Sequence, residues 1–392
     1  MTTSSLEFRE LGVDNRPLTA LLGSLEPTRS LKSLMNESYQ KDTPEAFQLL
    51  RALMKMTRSR QSRDPRDHVY GLLGSCTLLV TISSTFRPPQ VDYSRPCAEL
   101  YGDIFRTFLL NPNDIGLDMR VTEVRGVNSS NGPGVPGLPS WIPDYSVPYP
   151  PLSFWYDRKF YNAGFHRRYP LQSSCFANNG TWLVLRGVEV DEVSVIPDPT
   201  SVLLCTMESE LFQDLDKVIS SVGEPPTTSE SEILWVCRRT LCLDLAVRLG
   251  AMISEGEPIS NLHGVRIERI GSNEAARAVF ELAWTTQFPL QPQTPGDLTV
   301  GPAINLDEDG TPLSEMFVVM ASGRTAMCRP YTLVGDIVVV FPGVCMPFIL
   351  RQRQGCDRHQ MIGPAYVDGI MDGEVIEAME RGEYELETFV ID

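Results

Sequence analysis

The sequence predicts an α+β fold in which helices come first and an antiparallel sheet comes last. Helical spacing of apolar residues dominates residues 1–125, and a stretch rich in Pro, Gly and aromatic residues fills 126–180. Strand-like runs separated by short turns follow residue 315. Helices followed by strands are typical of α+β folds rather than of a wound parallel sheet. We therefore expect a mainly helical part at 1–125, a lid or loop region at 126–180, and helices with a strand tail at 181–392, all integrated in one domain.

Two amphipathic helices are predicted in the N-terminal part. The stretches PEAFQLLRALMKMTRS (44–59) and PCAELYGDIFRTFLL (96–110) each begin at a proline and carry apolar residues at helical spacing. Further along the chain we expect helices at about 208–222, 230–253 and 273–288, because Pro and Gly residues bound these stretches.

Between the first two helices, DPRDHVYGLLG (64–74) carries signals for the start and end of a helix. We interpret Asp64 as the N-cap and Pro65 as the first helical residue, because a carboxylate there accepts free backbone N–H groups and proline fits the first turn. Gly74 could then end the helix in the left-handed conformation. A catalytic role for His68 is the alternative, and no nucleophile lies near it in the sequence.

The C-terminal part has the composition of β-strands. The run TWLVLRGVEVDEVSVI (181–196) is β-rich and is interrupted by Gly187. After residue 315 come EMFVVMAS, YTLVGDIVVVF and MPFILRQ, separated by SGR and PGVC turns. This pattern predicts an antiparallel β meander or a partial barrel near the C-terminus.

The region 141–169 holds 10 of the 33 aromatic residues of the chain. A disordered linker would be poor in aromatic residues, so we expect this segment to fold onto the body of the protein. Two interpretations stay open: a lid whose aromatic side chains fill a junction, or the wall of a concave apolar pocket with a few polar anchors.

The pocket interpretation gives this segment its candidate site residues. Asp144, Tyr145 and His166 are the candidate catalytic residues, with Arg158 as a further polar anchor. The candidate substrate-binding residues are Trp141, Phe154, Trp155, Tyr156, Phe160, Tyr161 and Phe165.

Composition excludes several classes of partner and cofactor. The net charge of −16 disfavours nucleic acid and anionic membrane surfaces, and no apolar run approaches the roughly 20 residues that span a bilayer. The N-terminus lacks the features of a secretion signal, and nine cysteines without a C-x-x-C pair indicate reduced thiols in a cytoplasmic protein. The four histidines are not spaced as metal ligands.

No cofactor or metal is expected. The run GPGVPG (132–137) matches G-x-G-x-x-G, but no strand precedes it and its prolines oppose a helix that could bind phosphate. Asp368, Asp372 and Glu374 form an acidic cluster that we interpret as turn geometry around glycines, with a weak metal site or a raised pKa as the alternative. Arg186 and Arg351 are candidate partners of these acids.

Five stretches in the same order resemble fungal heterokaryon-incompatibility proteins. They are DPRDHVYGLLG (64–74), VDYSRPCAELYGDIF (91–105), LPSWIPDYS (138–146), WLVLRGVEVDEV (182–193) and GDIVVVFPGVCMPFILR…IGPAYVDGIMDGE (335–374). The resemblance implies a role in incompatibility and cell death. The N-terminal signalling domain usual in this family, with its SY-x-WG and W-x-x-QE segments, is not matched here, and Asp368 stands where the family often has His.

Two functions follow from these observations. The first is a cofactor-independent cyclase or isomerase, performing a pericyclic-type step on a hydrophobic secondary metabolite within a scaffold that lacks the signalling half. The alternative is a non-enzymatic regulator or interaction protein in heterokaryon incompatibility or cell death. The aromatic segment favours the first, family resemblance favours the second, and the sequence does not determine the oligomeric state.

Overall fold

The computed structural model describes residues 50, 53–54, 62–80, 89–110, 134–146, 161–164, 175–197, 316–329 and 331–392. The chain divides into two compact units. The helical unit includes the described residues up to Phe108, together with 134–138 and 144–146. The strand unit includes 139–143 and the described residues from 161 onward. The helices expected at 208–222, 230–253 and 273–288 lie outside the described residues.

The described residues include three α-helices with defined bounds, α1 (Asp67–Val80), α2 (Cys97–Leu110) and α3 (Glu374–Glu380), and a 3-10 helix at Asn178–Gly180. Helix α2 confirms the expectation for 96–110, and the residues of its predicted apolar face are all buried: Leu100, Tyr101, Ile104, Phe105 and Phe108. Leu50, Leu53 and Met54, the described members of the predicted 44–59 helix, are helical and buried. No described helix is long and apolar enough to cross a membrane.

Helix α1 differs from its prediction at both ends. It begins at Asp67 rather than Pro65, after a turn in which the amide of Asp67 donates to the carbonyl of Asp64 at 3.0 Å. It also continues through Gly74 to Val80, so the left-handed end expected at Gly74 is wrong. A glycine inside a helix costs only about 1 kcal/mol relative to alanine, which is too little to stop a helix whose following residues tolerate it.

The strand unit contains a nine-stranded mixed sheet. Its strands are β1 (Phe176–Ala177), β2 (Trp182–Val195), β3 (Met316–Met320), β4 (Thr325–Cys328), β5 (Ile337–Val340), β6 (Phe348–Gln352), β7 (Arg358–Pro364), β8 (Tyr366–Val367) and β9 (Glu387–Ile391). The strands expected after residue 315 and at 181–196 are therefore confirmed as β3, β5, β6 and β2.

Strand β2 organises this unit because it pairs with β1, β3, β5 and β9. The order β2–β5–β6–β7–β9 returns to β2 and closes a ring of strands, here called the strand ring. At Val193 and Val195, with a register shift between them, β2 also pairs with β3, which leads to β4 and β8. Strands β7 and β9 are parallel, so a purely antiparallel meander is wrong at this pair. Parallel pairing is possible because β8 and α3 form the crossover between them.

Gly187 does not interrupt β2, contrary to the prediction. A Cβ atom at this position would lie 2.7 Å from Cγ1 of Val339 and 2.8 Å from Cδ1 of Phe341. The glycine is therefore required where β2 closely approaches the neighbouring strand β5 and the residue after it, a common role of glycine inside a strand.

The core of the strand unit is apolar. Its buried members are Val188, Val193, Val318, Met320, Ala326, Cys328, Val338, Val340, Ile349, Ile362, Ala365, Val367, Ile370, Val375 and Ile376. They come from nearly every strand and from α3, so the short helix helps to cover the sheet.

Candidate functional site

In the helical unit, the stretches 64–74 and 91–105 are joined by hydrogen bonds. Nη1 of Arg66 donates to the carbonyl of Arg95 at 2.9 Å and also to the carbonyl of Tyr93. The hydroxyl of Tyr93 donates to Oδ1 of Asp67 at 2.6 Å. These contacts explain why the two stretches occur together in one sequence: the first supplies the cation that fixes the second.

The charges of this contact have a structural role. The carboxylate of Asp64 accepts from the backbone amide of Arg66 at 3.0 Å and from its Nε at 2.9 Å. Hydrogen bonds from Arg66 hold the pKa of Asp64 below its usual value, and the hydrogen bond to Asp67 raises the pKa of Tyr93. The hydrogen bond from the Arg66 amide to Asp64 agrees with the capping interpretation of Asp64. The carboxylate of Asp67 instead accepts from the hydroxyl of Tyr93.

Asp144 and Tyr145 also lie in the helical unit, and both are buried. Oδ2 of Asp144 accepts from the amide of Val135 at 2.9 Å, while its Oδ1 accepts from the amide and the hydroxyl of Ser146 at 2.9 and 2.6 Å. The ring of Tyr145 packs edge-on against Tyr101, with 5.2 Å between ring centroids. This carboxylate therefore holds both ends of its loop through hydrogen bonds.

Two further titratable groups in this unit are shifted toward their protonated forms. Burial raises the pKa of Cys97 to about 11 and raises that of Tyr101 well above its ordinary value. A thiol is nucleophilic as the thiolate, so a raised pKa makes Cys97 unreactive near neutral pH.

Trp141 and Tyr161 lie in the strand unit. Trp141 is fully buried, its Nε1 donates to the carbonyl of Thr181 at 3.0 Å, and its ring lies 5.7 Å from that of Phe176. Tyr161 is buried with its ring edge-on to Tyr366 at 5.9 Å. These aromatic side chains attach their segments to the sheet.

The described members of the candidate site are thus divided between the two units. Asp144 and Tyr145 belong to the helical unit, and Trp141 and Tyr161 to the strand unit. The other candidates lie outside the described residues: Phe154, Trp155, Tyr156, Arg158, Phe160, Phe165 and His166. The catalytic and substrate-binding assignments therefore stay predictions.

Sequence reasoning did not identify the buried ion pair of the strand unit. Nε and Nη2 of Arg351 donate to Oδ1 and Oδ2 of Asp336 at 2.7 and 2.8 Å, and Asp336 is buried. Nη2 of Arg351 also donates to the carbonyl of Tyr331 at 2.6 Å, and Asp336 accepts from the amide of Leu333 at 2.8 Å. Asp336 and Arg351 are 15 residues apart, and no local pattern indicates such a pair.

Comparison with known proteins identifies the region that contains this ion pair. A family model described as the Het-6 beta-barrel domain matches residues 318–387. The expected resemblance to heterokaryon-incompatibility proteins is confirmed over this part of the chain by the family model and by one relative. Heterokaryon incompatibility protein 6, OR allele, of Neurospora crassa is 43% identical over 54 residues, which are 13% of this chain and 8% of that relative. No solved structure matches the chain.

Within the residues that match the Het-6 beta-barrel model, the acidic cluster has the geometry of a turn. Gly369 and Gly373 have φ values of +81° and +103°, as the turn interpretation predicts. Asp368 accepts from the hydroxyl of Tyr366 at 3.2 Å, and Glu374 accepts from the amide of Asp372 at 2.8 Å. No group of three or more His, Cys, Asp or Glu in the described ranges could hold a metal ion.

The two arginines suggested as partners of this cluster have other contacts. Arg351 pairs with Asp336, as described above, and Nη2 of Arg186 donates to the carbonyl of Leu386 at 3.4 Å. Just beyond the matched domain, Asp392 binds both Arg353 and Arg358 at 2.8 and 2.7 Å. Arg351 thus holds the turn before β5, and Arg353 and Arg358 hold the chain after β9. All three stabilise the fold of the strand ring.

Proposed function

We propose that the chain is a non-enzymatic interaction protein that acts in fungal heterokaryon incompatibility. The match to the Het-6 beta-barrel domain supports this role, as does the name of the Neurospora relative. The observation on which it rests is the structural role of the buried ion pair between Asp336 and Arg351 in the strand unit. The buried carboxylate of Asp336 is neutralised by arginine and bound to a backbone amide, so it holds a turn and is not available for acid–base chemistry.

The titratable groups of the helical unit support the same proposal. Active sites commonly shift a pKa toward the working pH, so that a group exchanges protons or becomes a nucleophile. Cys97 and Tyr101 are shifted away from it. We therefore propose that the protein binds partners through its surface, and that it does so in the cytoplasm.

The proposal is tested by expression in a filamentous fungus. Cells that carry the full chain are fused with cells that lack it, and growth and viability of the fusion cells are measured. We expect reduced growth or death of fusion cells. A chain with Arg351→Met, which we expect to be destabilised, is the control for the burden of expression. Fusion cells that grow as well with the wild-type chain as with this control would contradict the proposal.

The cyclase or isomerase is the second candidate function. The aromatic density of residues 141–169 supports it, because walls of aromatic side chains can enclose and orient an apolar substrate. Orientation alone can lower a barrier by up to roughly 7–11 kcal/mol, so such a reaction would require neither metal nor redox cofactor.

This second function requires a hydrophobic small molecule as ligand. We expect apolar metabolites to raise the unfolding temperature of the purified protein and to be converted to isomeric products of equal mass. Trp141→Phe, which retains an aromatic ring, should preserve more of the shift than Trp141→Ala. The absence of a thermal shift across a panel of such metabolites would exclude this function.

A further inference from the structure

Three exposed apolar side chains lie together at one end of the strand ring. Val334, Leu333 and Val195 are 61%, 52% and 49% exposed. The turn that carries Leu333 and Val334 is hydrogen-bonded to β2 at Val193. The amide of Val193 donates to the carbonyl of Asp336 at 2.8 Å, and the amide of Gly335 donates to the carbonyl of Val193 at 2.9 Å. Val195 is two residues further along β2, which is about 7 Å in an extended strand. We call Val195, Leu333 and Val334 the apolar tip.

The backbone of the apolar tip is held in place. Asp336 accepts from the amide of Leu333 at 2.8 Å, and the buried pair with Arg351 fixes Asp336 itself. Gly335 has φ of +91°, a conformation that favours glycine and directs the chain from the turn into β5. Single exposed apolar residues are ordinary on protein surfaces, but a group on an ordered turn is typical of a contact site. A prearranged turn also loses little conformational entropy when a partner binds.

The acidic side chain of Glu192 lies beside the apolar tip. Oε1 of Glu192 is 3.8 Å from the position that a Cβ atom would take at Gly335. Glu192 is close enough to Glu189 to influence its ionisation: partial burial, followed by the like charges of Glu387 and Glu192, raises the pKa of Glu189. Glu192 therefore places a negative charge next to the tip, in a chain whose net charge is −16.

We infer that the apolar tip is a docking surface for a basic segment of another protein. An aliphatic or aromatic side chain of that segment would cover Leu333 and Val334, and a flanking Lys or Arg would face Glu192. Charge complementarity favours this occupant, because acidic segments are repelled from the same place. A second copy of this chain is disfavoured, because a symmetric contact would bring the negative charges of the two Glu192 side chains together. The inference rests on the proposed interaction function and specifies the surface that performs it.

The test uses short synthetic peptides and the full chain. Each peptide carries Leu or Phe as its apolar anchor, flanked by Lys and Arg, by Ser, or by Glu, and binding is measured by fluorescence anisotropy. We expect binding only with basic flanks, weakened by added salt. The double variant Leu333→Ser/Val334→Ser should lose about tenfold or more in affinity, as is usual for central apolar contacts. Equal binding by acidic and basic peptides, or no binding by any peptide, would overturn the inference.

Two controls separate binding from folding. Val91 is 54% exposed but belongs to the helical unit, so Val91→Ser should bind as the wild type does. Should the double variant unfold, Glu192→Lys tests the same surface without removing an apolar side chain, and it should abolish the preference for basic flanks. A preference that survives Glu192→Lys counts against the inference. Concentration-dependent dimerisation that is lost in the double variant would also overturn it, in favour of a second copy as occupant.

The fungal fusion assay separates this inference from the proposed function. If the wild-type chain kills fusion cells and the double variant kills them equally, the docking surface is wrong while the function stands. If the chain binds basic peptides through Leu333 and Val334 but leaves fusion cells healthy, the docking surface stands while the function fails.

Discussion

Replacing Arg351 with methionine should destabilise the strand unit strongly. The substitution keeps most of the aliphatic length of the side chain but removes the guanidinium that binds both oxygens of Asp336 and the carbonyl of Tyr331. Only 2% of the Asp336 side chain is exposed, so its charge cannot recover the lost interaction from water. The turn before β5 then contains a buried carboxylate without its cation.

The magnitude follows from burial. Removing one partner of a buried ion pair costs about 3–5 kcal/mol, because the other charge is left uncompensated. The side chain of Arg351 is 24% exposed, so some solvent screening remains and we expect the lower end of the range, about 3 kcal/mol. This is a large fraction of the 5–15 kcal/mol that stabilises an ordinary domain.

Unfolding in urea, followed by circular dichroism, measures the change. Arg381→Met is the matched control, because Arg381 also pairs with a carboxylate, that of Glu383, but the two side chains are 57% and 55% exposed. Exposed pairs contribute little, because water screens both charges, so we expect almost no effect of this control. The double variant Asp336→Leu/Arg351→Met should recover part of the loss, since it leaves no buried charge. The reasoning is refuted if Arg351→Met costs no more than Arg381→Met, or if the double variant is less stable than the single one.

Three further predictions concern the strand unit and use the same urea assay. Gly187→Ala should cost about 1–3 kcal/mol by overpacking. Gly71→Ala, where a Cβ meets nothing within 4 Å, should instead stabilise slightly, because alanine is the better residue inside a helix; equal effects would contradict the close approach. Phe389→Ala should cost about 3–5 kcal/mol as a buried aromatic, while the exposed Thr388→Ala should be nearly neutral, and a neutral Phe389→Ala would show that β9 is not part of the core. Burial lowers the pKa of His359 below its ordinary 6.5, so its stabilising contribution is present above about pH 6.5 and is lost as the pH falls through the lowered pKa. The variant His359→Leu should therefore lose less stability than the wild type between about pH 7 and about pH 5. An unchanged dependence of stability on pH would argue against this prediction.

The sequence predicted the elements whose signals are local. The spacing of Leu100, Tyr101 and Ile104 specifies one face of a helix within a few turns, and that face is buried in α2. The β-branched runs of β2 and β5 likewise form strands wherever they pair. The predicted end of α1 at Gly74 was wrong because a glycine near the end of a helical pattern is compatible with two structures. It can end the helix in the left-handed conformation or lie inside it, and the local sequence does not distinguish the two.

Pairing between distant residues was beyond the sequence. Strand β9, ETFVI, pairs with β2 some 200 positions earlier, with Leu183 opposite Ile391, and runs parallel to β7. Strands β1, β4, β7, β8 and β9 and helix α3 were not predicted, because they are short and their apolar residues do not alternate regularly. Whether a set of strands closes into a ring depends on which strand accepts the last one, and hydrophobic periodicity contains no information about partners.

At the candidate site, too, the burial of side chains was predictable from the sequence, but their hydrogen-bond partners were not. Aromatic density around Trp141 and Tyr145 indicated burial, and both are buried. It did not indicate that Nε1 of Trp141 would bind a backbone carbonyl, or that Asp144 would bind two backbone amides. A buried carboxylate that accepts several hydrogen bonds from its own loop has little acceptor capacity left for a substrate, whereas an exposed apolar side chain gives up only contacts with water when it meets a partner. For this reason recognition at Leu333 and Val334 requires less rearrangement of the fold than chemistry at Asp144.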